Sequence, residues 1–172
     1  PYTFLEVLER WLDEDPARAE AMRLRLVGRV CPEMIARVAS PPLRHVVTHE
    51  GYLSHRESAQ AMVDADVLLL LTGSDDQSRG MLTGKVFEYL GAGQPILALA
   101  PAGELESLLH RFRTGIVLRP DDASAIEHWL RDEHRRSVER TLGARGPDPE
   151  VVRFLTRRAL TGQLAELLAR CI

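Results

Sequence analysis

Short apolar segments alternate with amphipathic segments along most of this 172-residue chain, and this alternation constrains the fold more than any other feature. Predicted strands occupy residues 24–28, 46–47, 67–71, 96–99 and 115–118, and a segment with helical spacing of apolar residues follows each of them. Strands and helices that alternate at short intervals form βαβ units with parallel strands. The sequence therefore predicts an α/β fold, a doubly wound parallel sheet of about five strands with flanking helices.

One domain is predicted for residues 1–172, because a chain of this length that is 45% hydrophobic can bury a core and is not disordered. Its first residues already follow helical spacing, with Phe4, Leu8 and Leu12 on one face. The chain begins without Met inside this predicted helix, and we expect it to be a fragment of a longer protein.

Charge and hydropathy exclude several classes of protein. The formal net charge of −3 argues against a nucleic-acid-binding surface, which is usually basic. The longest apolar run, residues 67–71, is far shorter than the roughly 20 residues of a membrane-spanning helix, and no signal peptide opens the chain. Cys31 and Cys171 lack the spacing of a zinc ribbon or redox pair. We expect a cytoplasmic protein, with the inner face of the membrane an open alternative for the full-length protein.

Three common motifs of nucleotide-binding proteins and hydrolases are missing from the sequence. Gly91 and Gly93 form a G-x-G that follows a predicted helix and precedes a strand, the reverse of the dinucleotide-binding order. Gly80 and Lys85 are one residue too close for a P-loop, and there is no GxSxG. The six histidines do not cluster with carboxylates at ligand spacing. Neither a metal nor a cofactor is expected.

One loop and the helix after it carry the strongest chemical signal. Backbone N–H groups near Leu82, Thr83 and Gly84 are free at the positive end of this predicted helix, where phosphate groups bind well. Lys85 is the only lysine among 22 basic residues and opposes the helix dipole, which a bound anion would explain. Glu88 follows one turn later and is suited to accept hydrogen bonds from ribose hydroxyls. An ordinary exposed lysine and glutamate are the alternative interpretation.

Residues 85–96 read Lys-Val-Phe-Glu-Tyr-Leu-Gly-Ala-Gly-Gln-Pro-Ile, which resembles the nucleotide-sugar motif of GT-B glycosyltransferases, particularly the retaining family-four (group 1) type. Residues 65–70 resemble the strand before this motif, and residues 115–126 resemble the strand and helix after it. The resemblance covers about residues 24–130. It implies one Rossmann-like half of a GT-B fold, the C-terminal donor-binding domain of an enzyme that transfers a sugar from a nucleotide diphosphate-sugar to an acceptor without a required metal.

The resemblance also implies roles for single residues. Glu88 takes the place of the glutamate that binds the ribose hydroxyls in this family. The backbone amides of residues 82–84 would hold the diphosphate, with a positive charge from Lys85. Tyr52, in the loop after the second predicted strand, would lie near the base and cover it or stack on it.

The chain departs from the family pattern at two places. Gly80, eight residues before Glu88, stands where the family usually has a glutamate that contacts the donor sugar, and Asp75 and Asp76 are the substitutes in the same loop. The family's first strand of this domain and its N-terminal acceptor domain would precede Phe4. We therefore expect this chain alone to be inactive, and its catalytic residues are unassigned.

Two other functions stay open. A sugar-nucleotide epimerase of the same fold would need acid–base groups, for which Asp75, Asp76 and His55 are the candidates. A non-catalytic GT-B-like binding or interaction domain would explain Gly80.

The predicted C-terminal helices, within residues 150–172, carry an apolar stripe. In GT-B enzymes the last helix crosses to the other domain, so the stripe needs a substitute surface. We expect a homodimer through this segment. The stripe consists of Leu155, Leu160, Leu164, Leu167 and Leu168.

Overall fold

The computed structural model describes residues 2–73 and 76–139. At residues 76 and 77 it describes the backbone alone, and further on it describes six helical residues, 159, 161, 162, 165, 166 and 169. Asp75, the side chain of Asp76 and the five leucines of the predicted C-terminal stripe lie outside the described residues.

Strands and helices alternate as the sequence predicts. The strands are β1 (Leu24–Val27), β2 (Val47–Gly51), β3 (Leu68–Leu71), β4 (Ile96–Leu99) and β5 (Gly115–Leu118). The helices are α1 (Tyr2–Glu14), α2 (Pro32–Val38), α3 (His55–Val63), α4 (Gly84–Ala92), α5 (Glu104–Phe112) and α6 (Ala123–Val138). Short 3-10 helices lie at Pro16–Ala21, Leu43–His45 and Asp76–Gly80.

The five strands are parallel, as predicted, but within the described residues they form two sheets instead of one continuous sheet. Strand β1 pairs with β2, and β3, β4 and β5 pair in that order. A doubly wound sheet reverses its winding at its centre, which is where ligands bind. Here that centre is a groove between the edge strands β1 and β3.

Helices cover both faces of the sheets and build two hydrophobic cores. On one face α1 and α6 pack over β1, β2 and β4, and on the other α4 and α5 pack over β3 and β4. Strand β4 serves both cores, with Leu97 and Leu99 in the first and Ile96 and Ala98 in the second. Because α1 buries six residues in the first core, it connects the two sheets on that face.

Local signals fix the start of α3 and the end of α4. Ser54 and Glu57 have the sequence spacing that predicts a capping box at the start of α3. The structure confirms it, because the Glu57 N–H donates to Ser54 Oγ at 3.3 Å and the Ser54 N–H donates to the Glu57 carboxylate at 2.9 Å. Helix α4 ends at Gly93, whose φ of 79° is left-handed. A glycine is favoured there because it has no Cβ to clash.

Candidate functional site

The amino end of α4 follows the carboxyl end of β3, at the edge where parallel sheets bind ligands. Thr83 is the N-cap residue, but its side chain makes no capping hydrogen bond. Its hydroxyl is buried and has no partner within the described part of the chain. The backbone N–H groups of residues 82–85 also have no acceptor among the described residues, whereas the Val86 N–H donates to the Thr83 carbonyl at 3.1 Å. Four neighbouring donors are therefore available to an anion.

Three side chains of α4 line the groove between β1 and β3, which has a volume of about 590 Å³. They are Lys85, Glu88 and Tyr89, spaced so that they share one side of the helix. Lys85 and Glu88 are exposed, and neither has an ion-pair partner among the described residues. Tyr89 is half-buried and its hydroxyl donates to the Leu69 carbonyl at 3.3 Å. Burial, with a smaller contribution from Glu88, raises the pKa of Tyr89, so its hydroxyl keeps its proton as a donor.

The loop between β3 and α4 approaches the loop after β4 closely. A Cβ added at Gly103 would lie 2.2 Å from the carbonyl oxygen of Arg79, so a larger residue would displace the loop. Gly80 is different, because a Cβ added there meets nothing within 4 Å. Contacts at the Cβ therefore do not require glycine at position 80.

Tyr52 does not line the groove that Lys85 and Glu88 line. It is 87% exposed and is not among the residues that line the groove. The loop after β1 is joined to strand β2 by a hydrogen bond between His49 Nε2 and the Gly28 carbonyl oxygen, at 3.0 Å. The structure thus brings Lys85 and Glu88 together in the groove, Leu82 to Gly84 adjoin them along the chain, and Tyr52 stays a prediction.

Tyr89 and the groove itself were not predicted from the sequence. The spacing of Tyr89 from Lys85, four residues, is a signal that could have identified it. The groove has no such signal, because it depends on which strands pair. Within residues 2–73 and 76–139, no group of three histidine, cysteine, aspartate or glutamate side chains is arranged to hold a metal ion. In the same part of the chain, no helix is long and apolar enough to cross a membrane.

Known proteins are similar to this chain in family and in fold. A family model described as glycosyl transferase-like matches residues 4–169. Among solved structures, Anabaena HepE in complex with UDP has a TM-score of 0.54 at 17% identity, over 99% of this chain and 45% of HepE. HepE in complex with UDP and glucose has a TM-score of 0.55 at 17% identity, over 99% of this chain and 44% of HepE. AviGT4, a glycosyltransferase involved in avilamycin A biosynthesis, has a TM-score of 0.54 at 20% identity, over 89% of this chain and 46% of AviGT4.

No curated protein sequence matches the chain significantly. The chain spans less than half the length of each of these solved structures. The family match extends over nearly the whole chain, and the structural matches agree with the parallel sheets and flanking helices described above. This chain belongs to the glycosyl transferase-like family, and its fold is the Rossmann-like half of a GT-B structure.

Proposed function

We propose that this chain is the donor-binding domain of a glycosyltransferase and that it holds a nucleotide diphosphate-sugar at the amino end of α4. The observation that carries the proposal is the set of four unpaired N–H groups at residues 82–85, beside the exposed side chains of Lys85 and Glu88. Family membership supports a sugar-transfer role, and the presence of UDP in the two HepE complexes supports a nucleotide as the ligand.

The diphosphate is the part of the donor that fits the start of α4 best. The N–H groups there carry the positive end of the helix dipole, which attracts anions. Lys85 is in the first turn, where a cation opposes the dipole and lowers helix stability. A bound diphosphate reverses this balance, because its negative charge interacts favourably with both the amides and the ammonium group. Hydrogen bonds to a charged group contribute about 1.5–3 kcal/mol each.

Glu88 is positioned to bind the ribose of the same ligand. It lies one turn after Lys85 on the side of α4 that lines the groove, so both side chains reach one bound molecule. Its carboxylate accepts two hydrogen bonds, which suits the two adjacent hydroxyls of a ribose. Tyr52 offers an exposed ring after β2 that covers the base.

During transfer, the bond between the anomeric carbon of the sugar and a diphosphate oxygen breaks, and negative charge develops on the departing diphosphate. The N–H groups of residues 82–85 and the ammonium group of Lys85 stabilise this charge. The acceptor and its binding surface belong to the remainder of a longer protein, so we expect this chain alone to bind donor without transferring sugar.

The test is a titration of the ¹⁵N-labelled chain with UDP, GDP and uridine, followed by backbone amide chemical shifts. We expect both diphosphates to shift the amides of residues 82–85 and 88, with weak affinity, and uridine to leave residues 82–85 unchanged. Lys85→Gln should weaken the binding of UDP more than the binding of uridine. Arg111→Gln, at the exposed end of α5, is the matched control. Shifts confined to α5 and α6 would contradict the proposal.

A non-catalytic binding domain is the second candidate, and Gly80 favours it. This position lacks the glutamate usual in similar enzymes, although a Cβ added there would meet nothing within 4 Å. Sugar transfer by the full-length protein would exclude this candidate. Binding of UDP-sugar without transfer, together with activity gained by Gly80→Glu, would support it.

A further inference from the structure

Strand β5 is the outer strand of the three-stranded sheet, and one of its edges has no partner strand among the described residues. It pairs with β4 alone. The Leu118 carbonyl accepts the Ala100 N–H at 3.0 Å, so the backbone groups of Leu118 are directed towards β4. Because these groups alternate in direction along a strand, the N–H and carbonyl of Val117 are directed outwards. An outward row of unpaired backbone groups is a template for another strand.

The side chains of β5 do not protect this edge against pairing. The strand is Gly-Ile-Val-Leu and has no charged residue. Strand β2, which is the outer strand of the other sheet, is Val-Thr-His-Glu-Gly, and its Thr48 and His49 side chains are exposed. Polar and charged side chains on an outer strand oppose the association of sheet edges. The edge of β2 is therefore protected, whereas the edge of β5 is open to a partner.

An exposed apolar side chain lies at the same edge. Ile116, in β5, is 45% exposed, whereas its neighbour Leu97 on β4 is 1% exposed. Helix α6 begins shortly after β5 but packs against α1, and its residues Trp129 and Leu130 line the groove beyond β3. This path leaves the face of β5 around Ile116 uncovered. A strand that paired with β5 would give Ile116 an apolar neighbour.

Opposite charges lie just before and just after β5. Arg113 is exposed and has no ion-pair partner among the described residues. Its φ of 51° is left-handed, a conformation that is unfavourable for arginine. After the strand, Arg119 Nη2 lies 3.1 Å from Asp121 Oδ2, and both side chains are 71% exposed. One end of β5 thus carries an unpaired cation, and the other carries a carboxylate that is accessible to a second donor.

We infer that β5 is an interaction surface for a second copy of this chain and that the two β5 strands pair in antiparallel orientation about a two-fold axis at Val117. The two Val117 residues then exchange N–H···O hydrogen bonds. Ile116 lies opposite Leu118 of the second copy, which buries it. Arg113 reaches the end of the strand where Asp121 of the second copy lies. Because the axis is two-fold, each of these side-chain contacts occurs twice.

Charge selects this register over its nearest alternative. Outward backbone groups have to meet outward backbone groups, so the axis can move to Ile116 but not to a point between two residues. An axis at Ile116 would place Arg113 opposite Arg119 of the second copy, and like charges that face each other across strands are destabilising. With the axis at Val117, Arg113 lies opposite Asp121 instead. The distribution of charge around β5 is therefore complementary to itself.

The pairing leaves the candidate donor site accessible in each copy. Strand β5 lies two strands away from the groove, on the far side of β3 and β4. Because the two β5 strands run in opposite directions, the carboxyl ends of the two sets of parallel strands point in opposite directions. The two sites therefore face away from each other. The inference goes beyond the proposed function and does not depend on it.

The test is analytical ultracentrifugation of this chain at concentrations from about 5 µM to about 1 mM. A contact centred on two strands of four residues is small, so we expect a weak dimer that is half associated at roughly 100 µM. Val117→Pro deletes the outward N–H but no hydrogen bond to β4, and proline is tolerated on an outer strand in this orientation. It should weaken dimerisation at least tenfold. Val117→Thr, which keeps the N–H and the branched side chain, is the matched control and should retain the dimer.

Variants of Arg113 keep the test decisive if Val117→Pro fails to fold. Arg113→Gly should raise the melting temperature, because glycine favours the left-handed conformation, and should weaken the dimer about threefold or more. These opposite signs distinguish a lost contact from a damaged fold. Arg113→Glu should weaken the dimer further, and Arg113→Glu combined with Asp121→Arg should restore it, because the charges are then exchanged.

Amide hydrogen exchange locates the contact. The Val117 N–H should exchange more slowly as the protein concentration rises, whereas the Leu118 N–H, which faces β4, should be slow at every concentration. A chain that stays monomeric at 1 mM would overturn the inference. So would a dimer that neither Val117→Pro nor Arg113→Glu weakens, because another surface would then hold it. Growth into assemblies larger than a dimer would also contradict a closed two-fold pair.

Discussion

Strands β3 and β4 are neighbours in one sheet and similar in composition, yet they differ in burial. Strand β3 is Leu-Leu-Leu-Leu and β4 is Ile-Leu-Ala-Leu. All four residues of β4 are buried, whereas Leu69 is half-buried and Leu71 is 43% exposed. Strand β4 has a strand on each side, while β3 has one on a single side and the groove on the other. The burial of a residue here depends on the neighbours of its strand more than on the hydrophobicity of that strand.

The helices also differ in how many residues they bury. Helix α1 packs over both sheets and buries six residues, whereas α3, which borders the groove, buries none. Stability should therefore be concentrated around β4 and α1 and should fall towards the groove. The predictions that follow test this gradient.

Leucine truncation on the two strands should give the largest contrast. Leu97→Ala on β4 removes a side chain that is 1% exposed and should lower the free energy of unfolding by about 2–5 kcal/mol, since it leaves a cavity. Leu71→Ala on β3 should lower the free energy of unfolding by about 1 kcal/mol or less, because solvent already reaches this side chain. Urea denaturation measures both. Equal costs would show that the groove edge is packed as tightly as the centre of the sheet.

Because β5 packs tightly against β4, we expect substitution of Gly115 to lower the free energy of unfolding by an intermediate amount. A Cβ added at Gly115 would lie 2.0 Å from the Ile96 carbonyl oxygen, so Gly115→Ala should lower the free energy of unfolding by about 1–3 kcal/mol. Gly91→Ala in α4 is the control, because its Cβ would meet nothing within 4 Å. It should raise stability by about 0.5–1 kcal/mol, because alanine favours the helix. Thermal melts distinguish the two signs, and a neutral Gly115→Ala would refute the close approach.

Helix α3 should depend on its cap because it has no buried residue. Ser54→Ala removes the Ser54 hydroxyl that accepts the Glu57 N–H, and should destabilise the protein by about 1 kcal/mol. Amide exchange should accelerate first within α3 and remain slow within α1. Uniform acceleration throughout the chain would instead mean that α3 is integrated with the core.

The smallest effect is expected on the exposed face of β1 and β2, and it depends on pH. Arg25 Nε and Nη2 donate to the Glu50 carboxylate at 2.6 and 2.9 Å, and these hydrogen bonds lower the pKa of Glu50. A lowered pKa in the folded state contributes stability above the ordinary glutamate pKa of about 4.3, and this contribution is lost as the pH falls through the lowered value. Arg25→Gln should remove this part of the acid sensitivity. An unchanged pH profile between 5 and about 2 would contradict the role of the pair.

The order of the elements could be predicted from the sequence because it depends on local patterns. The run at residues 67–71 and the Ser54–Glu57 capping box were both recognisable, and the structure contains a strand at Leu68–Leu71 and both capping hydrogen bonds. The start of α4 was also recognisable from its polar loop and the lone lysine. These features involve residues close together in sequence, where the spacing of residue types determines the structure.

The groove could not be predicted, because it depends on which strands are neighbours in space. The continuous apolar run at residues 67–71 predicts a strand that is buried on both faces. Leu71 is nevertheless 43% exposed, because β3 has a neighbouring strand on one side alone within the described residues. The close approach of Gly103 to Arg79 likewise joins two loops from different strands. Tyr89 was overlooked because its role depends on the groove-facing carbonyl of Leu69.

The central claim, that α4 binds the donor nucleotide, is tested most directly with Glu88→Gln. This change keeps the size of the side chain and replaces a charged acceptor with a neutral amide. We measure the dissociation constant for UDP and GDP by calorimetry and the melting temperature without ligand, with Glu106→Gln on the exposed side of α5 as the control. Glu88→Gln should weaken binding of the preferred nucleotide by about 1.5–3 kcal/mol, the range for hydrogen bonds to charged groups, with an unchanged melting temperature. Unchanged binding with a lowered melting temperature would contradict the account, because Glu88 would then support the fold and not the ligand.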